Sequence, residues 1–312
     1  MTSTNIFQPQ QMTRRTSAVI PSMQQFPIVG MGASAGGMEA LVAFFENSGA
    51  DTGAAYVVVM HLSPTHESRA DVILQRATRM PVVVVTKPVP VEQNTVYVIS
   101  PTQYIEMNDG YLRVRNREPG GPPVAIDQFI RTMALAHGQH AVAVILSGTG
   151  IDGVNSLSIV KDQGGLVLVQ DPREAAHAGM PRAAVDSGMA DFVLPVAHMP
   201  KKLADVWRNA VEIDLPVPDT DAGEDDDSES GVTVVNHRDE TTLREVLRIL
   251  HRKSGNDFSK YKRATVLRRI ERRMQVREVH KLSRYCDLLR DDVAESQALL
   301  GRYVNWRYAI FP

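Results

Sequence analysis

Only one cysteine, Cys286, occurs in 312 residues, so no disulfide can close within the chain and a reducing compartment, the cytoplasm, is expected. Long apolar runs are also missing. The longest, such as AVAVIL at 141–146, have the length of a buried strand and fall well short of the ~18 apolar residues of a membrane span, so no membrane insertion is expected. The first 25 residues, rich in Gln, Ser and Thr, lack the apolar core of a secretory signal and read as a disordered leader. Neither sign of charge dominates: a net charge of −2 excludes a globally basic nucleic-acid binder. There is no zinc-spaced Cys/His cluster and no H-E-x-x-H, so no metal is expected. No repeat recurs at a fixed period.

What is present divides the chain. From about 26 to 212, short β-branched runs (PIVGMG, AAYVVVM, PVVVVT, NTVYVIS, AVAVILSG, GLVLVQ) alternate with helix-like stretches of 10–15 residues. Continuous apolar strands of this kind are buried on both faces. The pattern therefore predicts a doubly wound, mostly parallel α/β sheet, with one antiparallel hairpin at Asp109-Gly110. Residues 216–231 hold seven acids, two prolines and one valine as the only large apolar group; they cannot build a core, and 213–232 reads as an acidic linker. Beyond it, 233–303 carries apolar residues at i, i+3, i+4 and i+7 between arginines, which predicts a small bundle of three amphipathic helices. The period is lost over 304–312.

Chemistry concentrates in PIVGMGASAGGMEAL, residues 27–41. Gly32-Ala33-Ser34-Ala35-Gly36 fits G-x-S-x-G, in which small residues let a strand turn into a helix and lift a serine above the sheet edge. Gly30 to Ala35 equally fits G-x-G-x-x-A, a dinucleotide loop. A third reading has the small residues simply packing a helix onto the sheet. The dinucleotide reading demands a carboxylate about 20 residues on, at the end of the second strand; that strand ends in Met60-His61-Leu62 instead. His61 is suited to serve as base for a serine. The Gly-rich turn after AVAVIL supplies Asp152 to orient the imidazole, and all three positions follow strands whose carboxyl ends meet at one edge. Each also has a structural reading, His61 as a surface or capping residue and Asp152 as a turn residue. The order Ser, His, Asp departs from that of α/β-hydrolases. His66, Asp71, Asp127, Asp171 and His177 are further candidates; His66 is expected to cap a helix and Asp71 to face solvent.

The motifs IVGMGASAGGMEAL, VVVMHLSPTHES, VYVISP, VILSGTGIDG and QDPREAAHAGMPRAA resemble the chemotaxis receptor methylesterase family, CheB, over about 26–198. The resemblance implies a serine hydrolase that demethylates glutamyl esters, and deamidates glutamines, on the cytoplasmic helices of chemoreceptors. It implies Ser34 as nucleophile, His61 as base and Asp152 as orienter. Ala35 N–H is the expected oxyanion donor, with the amides of the Gly36-Gly37 turn, and Thr149 stands where many members have methionine beside the oxyanion site. No cofactor is implied. The stretch FSKYKRATVLRRIERRM resembles the N-terminal helical subdomain of the CheR receptor methyltransferases. No glycine-rich loop for S-adenosylmethionine follows it, so no methyltransferase activity is expected, and a truncated end is one reading of 304–312. With about 25 residues ahead of the α/β domain, control by a phosphorylated receiver within this chain is not expected. Thirteen lysines and arginines against four acids over 252–290 read either as a solvated face or as a dock for an acidic receptor bundle; without interleaved aromatics they do not suggest nucleic-acid binding. The competing readings are a receptor-binding scaffold that has lost turnover and, less favoured, a dinucleotide-dependent oxidoreductase.

Overall fold

The computed structural model describes residues 19–60, 69–99, 103–116, 124–211, 213, 237–255 and 263–300. In chain order the α/β unit runs β1 (Ile28–Ala33), α1 (Gly37–Glu46), β2 (Ala55–Met60), α2 (Ala70–Ala77), β3 (Val82–Val85), β4 (Val89–Pro90), β5 (Val96–Ile99), β6 (Gln103–Asn108), β7 (Tyr111–Asn116), α3 (Ala125–His137), β8 (Ala141–Ile145), α4 (Leu157–Asp162), β9 (Leu166–Gln170), α5 (Gly179–Asp186), β10 (Phe192–Leu194) and α6 (Met199–Val211). The second unit is α7 (His237–Ser254), α8 (Arg263–Val276), α9 (Leu282–Asp291) and α10 (Val293–Leu300).

Seven strands form one sheet in the order β10-β9-β8-β1-β2-β5-β3, every pairing parallel. The apolar runs alternate strictly between two cores. Ala55, Val57 and Val59 of β2 join Phe129 and Met133 of α3 on one side. Tyr56 and Val58 join Leu41, Phe44 and Phe45 of α1 on the other. This is why the strands lack a polar face: both faces are covered by helices. The hairpin turns at Asp109 (φ 50°) and Gly110 (φ 70°), both left-handed as a two-residue type I′ turn requires. With β4 its strands form a separate three-stranded antiparallel sheet against α3.

Strand order reverses at β1. The chain moves from β1 to β2 on one side and later returns to β8 on the other, so the β1/β8 boundary is the switch point where a doubly wound sheet opens a crevice at its carboxyl ends.

Two details depart from the sequence reading. The leader is anchored from residue 19: Ser22 N–H donates to Ala136 O (2.8 Å), Asp109 N–H to Ile20 O (3.0 Å) and Gln24 Nε2 to Val91 O (2.9 Å). Residues 1–18, most of the acidic linker and residues 301–312 lie outside the described residues. The last predicted helix is two, α9 and α10, because Asp292 takes an extended conformation and its Oδ1 accepts the Glu295 N–H at 2.9 Å as an N-cap.

The helical unit packs its own core of Leu243, Val246, Ile270, Met274, Tyr285 and Leu289 and abuts the amino ends of the strands through α8. Arg272, 8% exposed, donates from Nε to Gly164 O (2.8 Å) and from Nη2 to Gln139 O. Arg269 pairs with Asp162. Arg273 bridges Glu295 (2.6 Å) and Asp191 (3.4 Å), and Asp191 also binds Lys161. Arginines read from sequence as solvent- or receptor-facing are thus partly spent on holding the two units together. A cavity of about 90 Å³ remains at the junction, lined by Gln139, His140, Trp207, Arg268, Arg272 and Gln275. It lies a strand length, about 17 Å, from the crevice at the carboxyl ends.

Candidate active site

Ser34 follows β1 directly and still belongs to its ladder, since its N–H donates to Ser147 O beyond β8 at 2.9 Å. The chain turns in the next two residues. Gly37 N–H donates to Ser34 O (2.9 Å), and Gly36, the N-cap of α1, takes φ 68°, ψ 6°. The left-handed residue is therefore Gly36 and not the serine, and glycine occupies that conformation without strain. Ser34 is left half-buried on the rim.

The other glycines of the motif have a packing role. A Cβ on Gly30 would lie 2.9 Å from the Met133 sulfur and from Phe129, and one on Gly32 would lie 2.4 Å from Ile126 Cγ2. They let α3 press onto β1, which accounts for G-x-G here without a phosphate. A Cβ on Gly153 would meet the same Ile126 methyl at 2.7 Å, so the loop carrying Asp152 and the end of β1 converge on one side chain.

Asp152 is buried. Its Oδ2 accepts the Ile126 N–H and its Oδ1 the Asp127 N–H, both at 3.0 Å, so it caps α3 from a distant loop. Each carboxylate oxygen can accept more than one hydrogen bond, and capping is compatible with orienting an imidazole. Asp127 is committed to structure, accepting the Ser156 N–H (2.9 Å) and Asn155 Nδ2 (2.9 Å). His61 and His66 lie outside the described residues.

Among the predicted oxyanion donors, the turn sorts the amides. Gly37 N–H is used within the turn, so it is removed from the set. Ala35 and Gly36 N–H donate to no acceptor in the described structure. Thr149 is exposed on the loop that follows Gly148.

One segment that sequence reasoning left without a role forms the third wall. Residues 171–180 lie over the turn: His177 N–H donates to Ser147 Oγ (3.0 Å), Gly148 N–H to His177 O (3.0 Å) and Met180 N–H to Gly148 O (2.9 Å). The exposed His177 ring places Cδ2 3.3 Å from the point a Gly36 Cβ would occupy. At the start of the segment, Arg173 hydrogen-bonds the Asp171 carboxylate and holds its pKa down to about 2. The signal for this wall was the quoted motif QDPREAAHAGMPRAA, which periodicity alone does not connect to Ser34.

Comparison with known proteins places the chain beside one family and its fold. Residues 29–203 match the family model for CheB methylesterase, and residues 241–302 match that for the CheR methyltransferase all-alpha domain. A 104.1 kDa protein of Rhodobacter capsulatus named as uncharacterized, from the hypE 3′ region, is 34% identical over 73% of the chain. A protein-glutamate methylesterase/protein-glutamine glutaminase of Anaeromyxobacter dehalogenans is 29% identical over 63%, and one of Pyrococcus horikoshii 28% identical over 64%. The chain spans 24%, 58% and 55% of the lengths of these three relatives. The crystal structure of the Thermotoga maritima CheB methylesterase catalytic domain superposes with a TM-score of 0.53 at 26% identity, covering 59% of this chain and all of that one.

Proposed function

Because this chain belongs to the CheB methylesterase family, we propose that it hydrolyses glutamyl methyl esters on the cytoplasmic helices of chemoreceptors, with Ser34 as nucleophile, His61 as general base and Asp152 as the residue orienting His61. The observation that carries the reading is the placement of Ser34 at the β1/β8 switch point, followed by two amides, Ala35 and Gly36, that have no acceptor among the described residues.

His61 takes the Ser34 proton as Oγ attacks the ester carbonyl, and negative charge gathers on the carbonyl oxygen. Ala35 and Gly36 N–H are the donors assigned to receive it, an interaction of about 3–4 kcal/mol for one donor in comparable sites. Methanol departs with the proton from His61. Water, deprotonated by the same imidazole, then cleaves the glutamyl-serine ester, leaving a glutamate and regenerating the hydroxyl. Glutamine deamidation follows the same course with ammonia as leaving group. No step calls for a cofactor or metal.

Receptor docking is assigned to charge on the helical unit that is not used internally. Arg284 is exposed on α9 and Lys281 at its N-cap, whereas Arg269, Arg272 and Arg273 face the α/β unit. A cytoplasmic location fits the single cysteine and the lack, among the described residues, of any helix long and apolar enough to cross a membrane. The test is methanol release from a methylated receptor fragment. Turnover by the wild type that is abolished by Ser34→Ala supports the reading, and receptor binding without turnover by the wild type favours the scaffold.

A further inference from the structure

Ser147 is fully buried, carries no assigned role, and ties together the three segments that build the crevice. Its backbone N–H donates to Gln170 Oε1 (2.7 Å) and its carbonyl accepts the Ser34 N–H (2.9 Å). Its hydroxyl accepts the His177 N–H (3.0 Å) and lies 2.8 Å from Ala35 O. A serine hydroxyl has one proton to donate. His177 O is 3.5 Å away, a poor distance, so the proton goes to Ala35 O.

The consequence lies across the peptide bond. The Ala35–Gly36 peptide is planar and trans, so its C=O and N–H point in opposite directions. Fixing Ala35 O inward against Ser147 Oγ therefore turns Gly36 N–H outward, toward the crevice. The neighbouring peptide is set the same way: Ser34 O is held by Gly37 N–H, which turns Ala35 N–H out. One amide is aimed by the turn itself and the other by the Ser147 hydroxyl. A Cβ at Gly36 would lie 2.8 Å from Ser147 Oγ, so only glycine leaves the hydroxyl its place against the turn. Gln170 is braced in turn, its Nε2 donating to Glu174 Oε1 (3.3 Å), which also accepts the Val196 N–H (2.7 Å).

We propose that Ser147 is a positioning residue of the esterase reaction: its hydroxyl locks the Ala35–Gly36 peptide so that Gly36 N–H is presented to the oxyanion of the tetrahedral intermediate. The proposal rests on Ser34 being the nucleophile. Its signature is selective, because a donor that meets charge only in the transition state alters kcat and leaves ground-state binding in place.

The experiment compares wild type, Ser147→Ala and Ser147→Thr in the full chain, using a methylated receptor fragment for turnover. A phenylboronic acid serves as the probe of oxyanion binding, since its adduct on a serine carries a negative tetrahedral centre. Removal of a whole oxyanion donor costs about 10²–10³ in rate, and misaiming one is expected to cost about 10- to 100-fold. Ser147→Ala should therefore lose about 10- to 100-fold in kcat and a similar factor in boronate affinity, with KM within about twofold and the pH dependence of kcat/KM unmoved. Ser147→Thr, which keeps the hydroxyl, should recover most of both. A purely structural serine would lower the melting temperature but leave kcat per Ser34 labelled by a fluorophosphonate, and boronate affinity, at the wild-type value; that result overturns the proposal. A wild type that neither turns over ester nor binds boronate overturns the hydrolase reading itself, and the positioning role with it.

Discussion

Gly148 backs directly onto Ser34: a β-carbon added to Gly148 would stand 2.9 Å from the Ser34 β-carbon and 2.3 Å from the Met180 sulfur. The methionine end can swing away, but the serine β-carbon is fixed to the β1 ladder and can yield only by moving Ser34, the proposed nucleophile. Gly148→Ala is therefore expected to reduce kcat by about 10²-fold, the effect of a displacement near 1 Å. The overpacking cost to stability should be about 1–3 kcal/mol. Turnover and urea denaturation on the same preparation separate the two effects.

Asp152 has a structural duty that Ser34 lacks. Because its two oxygens cap the Ile126 and Asp127 amides of α3, Asp152→Ala should cost about 1–2 kcal/mol of stability as well as activity. Asp152→Asn keeps one acceptor oxygen and should retain more of the stability, while turnover should still fall by about 10³-fold or more if the carboxylate has the proposed role of orienting the imidazole. Thermal melts beside methanol release test this; equal activity of Asp152→Asn and wild type would confine Asp152 to capping.

Arg272 joins the helical unit to the sheet. Replacing it with Ala leaves Gly164 O and Gln139 O without their charged donor at a buried junction, and bonds of that kind contribute about 1.5–3 kcal/mol each. We expect Arg272→Ala to lower unfolding free energy by about 2–4 kcal/mol, read from chemical denaturation, whereas the exposed Arg284→Ala should stay within about 0.5 kcal/mol of wild type.

Acid sensitivity should trace in part to His137, at the end of α3. Burial, reinforced by the charge of His140, lowers its pKa to about 4, and neither ring nitrogen has a hydrogen-bond partner among the described residues. Unfolded, the same group titrates near 6.5. Between those values the unfolded state holds more protons, so stability falls as pH drops from about 6.5 to about 4, by about 3 kcal/mol in all. His137→Leu should flatten that limb of the stability curve. An unchanged slope would place the acid sensitivity elsewhere.

The sheet was legible because strands buried on both faces leave a simple trace, unbroken apolar runs such as 56–60 and 141–146. Position along the sheet edge was legible as well: Ser34 and Asp152 follow β1 and β8 as strand order implies. The glycines were ambiguous for a physical reason. A glycine that lets Ile126 approach β1 and one that admits a phosphate are written with the same letter, and only the neighbour decides. Ser147 resembles any serine after a strand, since its role depends on residues more than 100 positions before it and 30 after. Arg269, Arg272 and Arg273 lie on the polar side of their helix by period, but the period does not tell whether that side faces water or another unit. The break at Asp292 was hidden because a single capping aspartate inside an apolar pattern leaves the helical spacing on either side intact.

The central claim is that Ser34 is the nucleophile, and the most direct measurement is peptide-level mass spectrometry of the full chain after reaction with a fluorophosphonate, paired with methanol release from a methylated receptor fragment. The account predicts one phosphonyl group on Ser34, loss of turnover in step with that labelling, and neither labelling nor turnover in Ser34→Ala. Modification at another residue, or ester hydrolysis at near wild-type rate in Ser34→Ala, would contradict it.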